Sequence, residues 1–377
     1  MSTPANIAFV DLKAQQKRLK SKIDKRMAQV LEHGQYIMGP EVAEFEAALA
    51  KFAGAADSVG VANGTDALHI ALMAEDIGVG DAVFLPSFTF TATAEVVLLR
   101  GAEPVFCEVD GRTFNIDPHD LRPKIEAVRK GGRLRPRAVI AVDLFGSPAN
   151  YTALSEVCAE ADLFLLADAA QSYGAILGEK RVGTLAPVTA TSFFPAKPLG
   201  CYGDGGALIT DDPDRAAMFR SIRAHGKGSA KYDIDRIGLN SRLDTLQAAI
   251  LLAKISIFQE ELDARRQVAE MYSARLSGNV TTPLADNMSQ SAWAQYAILL
   301  DDRDTLAGKL KESGVPTAIY YPKPMHLQSA YLQYGDGEGS LPISETLSER
   351  ILCLPMHPYL DEAVIDDICS RINATFS

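Results

Sequence analysis

The chain has 377 residues, of which 47% are hydrophobic and 23% charged, enough apolar material for one large core plus a smaller domain. Its formal net charge of −11 argues against nucleic acid as a partner, because nucleic-acid-binding proteins usually carry a basic surface. No apolar leader and no run of membrane-spanning length is present, so we expect a cytoplasmic protein. The five cysteines form no Cys-x-x-Cys pair and indicate neither a zinc site nor a disulfide framework.

The first half of the chain alternates apolar strands with amphipathic helices. This alternation predicts an α/β fold with a mostly parallel sheet and helices on both of its faces. Two helices, at 13–32 and 41–52, come first. The predicted strands are 58–62, 82–85, 104–109, 138–142, 163–167, a segment near Thr189, and 207–210. The predicted helices between them are 66–75, 92–100, 118–128 and 151–160.

The second half begins with a long amphipathic pattern at 243–271, which predicts one helix that links two domains. Beyond it, an apolar segment at 294–300, a helix at 303–313, a Pro-rich stretch at 315–325 and a terminal helix at 362–375 predict a small C-terminal α+β domain. The predicted division is therefore a large domain at 1–243, a linking helix at 244–275 and a small domain at 276–377.

Lys197 lies in a loop suited to holding one amine in one place. Pro195 and Pro198 restrict the backbone beside it, and Gly203 and Gly205 permit positive φ or a close approach to a ligand. A lysine hemmed in this way loses its proton more easily and can form a Schiff base with a carbonyl. A solvated loop lysine is the alternative that the loop alone leaves open.

Two other polar groups follow predicted strands. Gly64 and Thr65 open a helix directly after the first strand, where backbone N–H groups and the helix dipole favour an anion such as phosphate. Asp168 follows the strand at 163–167, and a carboxylate there requires a cationic partner such as a protonated pyridine nitrogen. Each has a plainer alternative: a routine turn for Gly64 and Thr65, and a helix N-cap for Asp168.

Phe88 adds an aromatic side chain able to stack on a flat ring, and the four features together match the requirements of one cofactor. Pyridoxal phosphate requires a phosphate cradle, a partner for its ring nitrogen, a surface for stacking and an amine that forms a Schiff base. The combination predicts a site for pyridoxal 5'-phosphate.

The same segments resemble the DegT/StrS family of pyridoxal-phosphate-dependent nucleotide-sugar aminotransferases. The resemblance extends over nearly the whole chain and implies the aspartate aminotransferase-like fold, known as PLP fold type I. The motifs that carry it are Asn63-Gly64-Thr65-Asp66-Ala67-Leu68, Asp168-Ala169-Ala170-Gln171-Ser172, Ser192-Phe193-Phe194-Pro195-Ala196-Lys197 and Asn240-Ser241-Arg242-Leu243-Asp244.

The resemblance implies a role for each matching residue. Lys197 forms the Schiff base and moves the proton, and it favours transamination, because the family's dehydratases have histidine at this position. Asp168 keeps the ring nitrogen protonated. The resemblance also implies that Phe88 stacks on the ring and that Gln171 contacts the ring hydroxyl. The phosphate is bound by Gly64, Thr65 and Ser192 and, from the neighbouring subunit of a homodimer, by Asn240.

For the substrate, the loop after Lys197 and the 240–244 motif are similar to members that aminate carbon 3 of a keto-sugar. The expected reaction uses L-glutamate as donor and UDP-2-acetamido-2-deoxy-3-keto-glucuronate as acceptor. Alternatives are a dTDP-3-keto-6-deoxyhexose as acceptor and, from another class, a non-catalytic cofactor-binding regulator. The candidate substrate residues are Arg242, which suits a carboxylate, Tyr320 and Tyr321, which stand where relatives often have His-Tyr, and His326, which could compensate for the missing histidine.

One segment departs from the acidic composition. Between Arg215 and Arg242 there are seven Lys and Arg residues against two Asp residues. Such a basic segment can concentrate an anionic ligand, although it is also typical of a solvated face. Our hypothesis is that it holds part of the nucleotide diphosphate, with Arg223 and Lys227 as contacts.

Overall fold

The computed structural model describes residues 7–230, 232–276, 278–284 and 289–376. The helices are α1 (Leu12–His33), α2 (Pro40–Ala53), α3 (Gly64–Ala74), α4 (Ala92–Leu99), α5 (Pro118–Gly131), α6 (Tyr151–Ala161), α7 (Pro213–Ile222), α8 (Thr245–Ile255), α9 (Phe258–Arg275), α10 (Arg303–Glu312), α11 (Pro342–Arg350) and α12 (Glu362–Ala374). The strands are β1 (Asp57–Val61), β2 (Asp81–Pro86), β3 (Glu103–Cys107), β4 (Arg135–Val142), β5 (Phe164–Asp168), β6 (Ile176–Leu177), β7 (Lys180–Arg181), β8 (Val188–Ser192), β9 (Gly206–Thr210), β10 (Ser289–Gln290), β11 (Tyr296–Leu299) and β12 (Ile351–Leu354). Within these residues, no helix combines the length and apolarity needed to cross a bilayer.

The central sheet has seven strands in the order β1-β9-β8-β5-β4-β2-β3. All its neighbours pair in parallel except β9, which is antiparallel to both β1 and β8. Strands β2 and β9 are buried along their whole length, as expected for strands covered on both faces. The predicted mostly parallel sheet is confirmed. Its parallel strands all end at the same edge, which is where ligands bind in sheets of this kind.

Alternate residues of the central strands pack against different helices. Val83 and Leu85 of β2 lie in a core cluster with α3, α4 and α7, whereas Phe84 between them lies in a cluster with α5 and α6. Since successive side chains of a strand point to opposite faces, the helices cover both faces of the sheet.

The C-terminal part is built on the antiparallel pair of β11 and β12. Helices α9, α10 and α12 pack around this pair in a separate apolar cluster that includes Tyr272, Tyr296 and Ile368. The predicted domain limits at 1–243, 244–275 and 276–377 stay predictions.

The expectation of a single helix at 243–271 is wrong, because the structure divides this segment into α8 and α9. Ser256 is the C-cap of α8, and Ile257 leaves the helical conformation with φ −125° and ψ 7°. Ile257 packs on Leu19 and Ile23 of α1. The apolar pattern continues through the break, so hydrophobic periodicity carries no signal for it.

A buried ion pair fixes the outer strand β1. Arg223, at the end of α7, contacts Glu46 of α2, and both side chains are almost fully buried. Arg223 also donates to the Gly60 carbonyl of β1 at 2.6 Å, and the Gly60 N–H donates to Glu46 Oε1 at 2.8 Å. This network ties a strand and two helices together.

We expect the change Arg223→Met to lower the free energy of unfolding by about 3 kcal/mol, because the buried Glu46 carboxylate loses its nearer cation and keeps only Arg220, whose Nη2 lies 3.7 Å from Glu46 Oε2. Urea unfolding measures this value. The matched control is Arg122→Met, which removes an exposed pair with Glu160 and should leave stability unchanged within error. Equal effects of the two changes would show that the buried pair does not hold β1.

Candidate active site

A cavity of about 430 Å³ lies at the edge of the sheet where the parallel strands end. The residues that follow β1 and β2, and the last residues of β4, β5 and β8, form its wall. Lys197 and Asp168 both line it. A larger groove, of about 940 Å³, lies at the opposite edge of the sheet, but its four arginines are ion-paired with acidic side chains and it contains neither of these two residues.

Asp168 is the last residue of β5 and is 6% exposed. Its carboxylate accepts hydrogen bonds from Thr93 Oγ1 at 3.0 Å and from the Ala170 N–H at 3.2 Å. Burial raises the pKa of Asp168, whereas the two hydrogen bonds and the nearby Lys197 act in the opposite direction. A buried carboxylate of this kind is stabilised by a cation brought into the cavity.

Lys197 reaches the cavity from a tightly folded loop. Its N–H donates to the Phe194 carbonyl at 2.9 Å. Gly200 closes the loop, and any Cβ there would come within 2.5 Å of the Pro195 carbonyl oxygen. The Lys254 ammonium is buried beneath the loop and donates to the Gly200 carbonyl at 2.6 Å. Burial lowers the pKa of Lys197, which increases the fraction of neutral, nucleophilic amine.

The first turn of α3 provides an anion site in the cavity wall. Asn63 caps the helix, with its Oδ1 accepting from the Asp66 N–H at 2.8 Å. Gly64 lies so close to Ser192 that a Cβ at this position would be 2.7 Å from the Ser192 Cβ. Backbone N–H groups at Gly64 and Thr65, together with the Ser192 hydroxyl, therefore form a cradle that fits a phosphate.

Gln171 lines the cavity, whose wall also includes Tyr320 and Tyr321 from the C-terminal part of the chain. Its Oε1 accepts from the Phe145 N–H at 2.8 Å, and its Nε2 donates to the Tyr321 hydroxyl at 3.3 Å. The structure thus brings together Gly64, Thr65, Asp168, Gln171, Ser192, Lys197, Tyr320 and Tyr321.

The prediction for Phe88 requires correction. Its ring is fully buried and packs against Phe114 and Tyr321 in a core cluster, and it does not line the cavity. Phe90, two residues later, lines the cavity and is 54% exposed. Phe90 is therefore the better candidate for ring stacking. The sequence shows both rings but not which one turns inward after β2 ends.

His326 is a structural residue in this fold. Its ring is buried, Nδ1 lies 2.6 Å from Ser87 Oγ, and Nε2 lies 3.0 Å from Glu345 Oε1. Both ring nitrogens are thus engaged, and the residue does not line the cavity. The expected substrate contact by His326 does not fit this geometry.

Asn240 and Arg242 also lie away from the cavity of their own chain. Asn240 is exposed, and its Oδ1 accepts from Arg242 Nη2 at 2.6 Å. Their expected roles therefore depend on a second subunit.

Three of the seven basic residues of the segment at 215–242 are ion-paired within the chain. Arg215 pairs with Glu75, Arg220 with Asp57 and Arg223 with Glu46. Arg223 is therefore not available for a nucleotide, contrary to the hypothesis. Lys227 is exposed and stays a prediction, and Lys231 lies outside the described residues.

Sequence reasoning missed Asp143, at the end of β4. This fully buried carboxylate accepts from Ser172 Oγ at 2.6 Å, the Tyr151 hydroxyl at 2.8 Å and the Ala149 N–H at 2.9 Å. Burial, with a contribution from the charge of Asp168, raises the pKa of Asp143 to about 7. Its position after an apolar strand, like that of Asp168, was the available signal.

We expect Asp143→Asn to stabilise the protein increasingly as pH rises. The ordinary pKa of the group is 3.8 and its folded value is higher, so ionisation disfavours the folded state across the interval from about pH 4 to about pH 7. The variant, which cannot ionise, should gain in Tm relative to wild type through this interval and keep a constant lead above it. Thermal unfolding of the cofactor-free protein tests this. The exposed Asp336→Asn serves as control, and parallel pH profiles for all three proteins would contradict the prediction.

Comparisons with known proteins agree with the fold. Residues 17–373 match the model of the DegT/DnrJ/EryC1/StrS aminotransferase family. The chain is 46% identical to a UDP-2-acetamido-2-deoxy-3-oxo-D-glucuronate aminotransferase from Pseudomonas aeruginosa, over 97% of this chain and 99% of that one. It is 36% identical to a dTDP-3-amino-3,4,6-trideoxy-alpha-D-glucose transaminase from Streptomyces venezuelae, over 94% and 92%.

A solved structure shares this architecture. The crystal structure of a DegT DnrJ EryC1 StrS aminotransferase from Brucella abortus superposes with a TM-score of 0.96 and 49% identity, over 98% of this chain and 99% of that one. The fold is the expected PLP fold type I.

Proposed function

Because the chain belongs to the DegT/DnrJ/EryC1/StrS aminotransferase family, we propose that it transfers the amino group of L-glutamate to carbon 3 of UDP-2-acetamido-2-deoxy-3-keto-glucuronate. The observation that carries this proposal is the 46% identity, over nearly the full length of both chains, to the Pseudomonas aeruginosa enzyme named for that sugar. The product is a nucleotide-linked amino sugar, a precursor suited to polysaccharide biosynthesis.

Enzymes of this family use pyridoxal phosphate, which supplies an exchangeable carbonyl and a protonated ring that withdraws electrons from the reacting carbon. Lys197 Nζ would hold this group covalently and, once the incoming amine has displaced it, would take and return the proton at the reacting carbon. Asp168 holds a positive charge beside its carboxylate, and Thr93 keeps that carboxylate oriented. Gly64, Thr65 and Ser192 would hold the phosphate, Gln171 would contact the ring hydroxyl, and Phe90 would stack on the ring.

We also propose a homodimer with shared active sites. Several large apolar side chains on the surface near Asn240 are exposed, among them Ile37 at 48%, Met38 at 45% and Ile237 at 85%. Ile37 forms a β-bridge with Asp244, which places this apolar surface beside the 240–244 motif. A second copy that covers this surface would bury these side chains. Asn240 and Arg242 of one subunit would then lie at the cavity of the other subunit. Arg242 could there bind a substrate carboxylate.

Stepwise addition of the substrates tests the reaction. With pyridoxal phosphate bound, we expect glutamate to abolish the visible absorption band of the protein, and only the matching 3-keto sugar nucleotide to restore it. Lys197→Ala should retain the cofactor but show neither change. Lys323→Ala, which alters an exposed lysine, should behave as wild type. If Lys197→Ala showed the same two spectral changes as wild type, the assignment of Lys197 as the reactive amine would be refuted.

The same experiment separates the alternatives. Restoration by a dTDP-linked 3-keto-6-deoxyhexose, and not by the sugar acid, would support the second acceptor, which the 36% identity to the Streptomyces venezuelae transaminase keeps open. No change with glutamate would point to a cofactor-binding regulator.

Mixing two variants that we expect to be inactive tests the shared site. Lys197→Ala lacks the amine, and Asn240→Asp places a negative charge beside the neighbour's phosphate. In a hybrid dimer, one site has both Lys197 and Asn240 intact. We expect a refolded equimolar mixture to recover about a quarter of wild-type activity, because half of the dimers are hybrids and each has one intact site. Activity no greater than that of the separate variants would exclude Asn240 as a contribution from the neighbour.

A further inference from the structure

Gln295 is a residue to which neither the motifs nor the comparisons give a role. It lines the cavity that contains Lys197 and also a smaller neighbouring cavity of about 240 Å³. We propose that Gln295 determines acceptor specificity by accepting a hydrogen bond from the keto-sugar. The inference rests on the proposed function and deepens it.

The backbone around Gln295 is held tightly against the large sheet. The Gln295 N–H donates to the Phe145 carbonyl at 3.3 Å, and the Ala292 N–H donates to the Gly146 carbonyl at 2.9 Å. Gly146 has φ +104°, and a Cβ there would lie 2.7 Å from the Trp293 nitrogen. Only glycine allows this approach, so the turn after β4 and the segment before β11 form one continuous wall.

The same segment is fixed from its other side. Arg265 of α9 is buried, and its Nη1 donates to the Trp293 carbonyl at 3.0 Å and to the Met356 carbonyl at 3.3 Å. Phe145, which holds Gln295, also donates to Gln171. The backbone of Gln295 is thus connected through Phe145 to the Gln171 side chain and has little freedom to move away. A rigid support of this kind is what a specific contact requires.

The side chain itself has an unmet requirement. Gln295 Oε1 is buried, and no group of the described residues donates to it. A buried amide oxygen without a partner is unfavourable, and a donor on a ligand would offset that cost. The polar side chains beside it in the wall, Gln171 and Tyr321, already bond to each other.

The chemistry of the two substrates decides which one satisfies Gln295. Glutamate presents two carboxylates, which only accept at neutral pH, and its ammonium is the reacting group. The keto-sugar presents hydroxyl groups and an acetamido N–H, which donate. Oε1, the atom without a partner, can therefore be satisfied by the sugar but not by a glutamate carboxylate, whereas the Nε2 group can donate to either substrate.

Separate measurement of the two half-reactions tests the inference. We compare wild type with Gln295→Leu and Gln295→Met, which remove the carboxamide at similar size, and with Gln267→Leu, which alters an exposed glutamine of α9. Both Gln295 variants should react with glutamate within about twofold of wild type. Their rate constant for the 3-keto sugar nucleotide at low concentration should fall about tenfold, as expected for one lost hydrogen bond. Calorimetry with the aminated sugar nucleotide should show a similar loss of affinity.

Three results would overturn the inference: unchanged sugar kinetics in both variants, an equal loss in both half-reactions, or loss of cofactor binding or of Tm in both variants. The last two would assign Gln295 to the cofactor or to the fold. A failure of the proposed function is recognised separately, because wild type itself would then respond to glutamate but not to any 3-keto sugar nucleotide.

Discussion

The candidate active site is built around a buried carboxylate that favours a positive charge beside it. Asp168 lies at the end of a buried strand with two donors fixed on its oxygens and almost no contact with solvent. Water cannot supply the missing charge compensation there, so a cationic ring nitrogen is strongly favoured in the cavity. The lysine loop, the α3 cradle and the Gln171 contact all surround the volume that such a ring would occupy.

The local parts of this site were predictable from the sequence. Asp168, Gly64 and Lys197 each lie within a short motif whose chemistry depends on neighbouring residues, and the alternation of strands and helices places all three at one edge of the sheet. Parallel strands bring their carboxyl ends together whatever the details of packing. The family resemblance added the reaction type, transamination of a nucleotide-linked keto-sugar, which the chemistry of the motifs alone did not supply.

Other features could not be predicted because they are decided by tertiary packing. Phe88 and Phe90 are equally aromatic, and only the core cluster with Phe114 shows that Phe88 turns inward. The break between α8 and α9 leaves the apolar periodicity intact. His326 looked available in a Pro-rich loop, but its two partners, Ser87 and Glu345, lie far from it in the sequence. Pairing across such distances leaves no local pattern.

The close approach at Gly146 has a wider consequence for how this enzyme can change. Candidate cofactor contacts within the chain come mainly from strand ends and loops before residue 210, whereas Tyr320, Tyr321 and Gln295 reach the cavity from the C-terminal third. The two sets meet where the backbone at Gly146 packs against the backbone at 292–294. If the C-terminal residues contact the sugar as proposed, substitutions among them would alter which sugar is accepted while the groups for amine exchange stay intact, and acceptor choice could evolve separately from the chemistry.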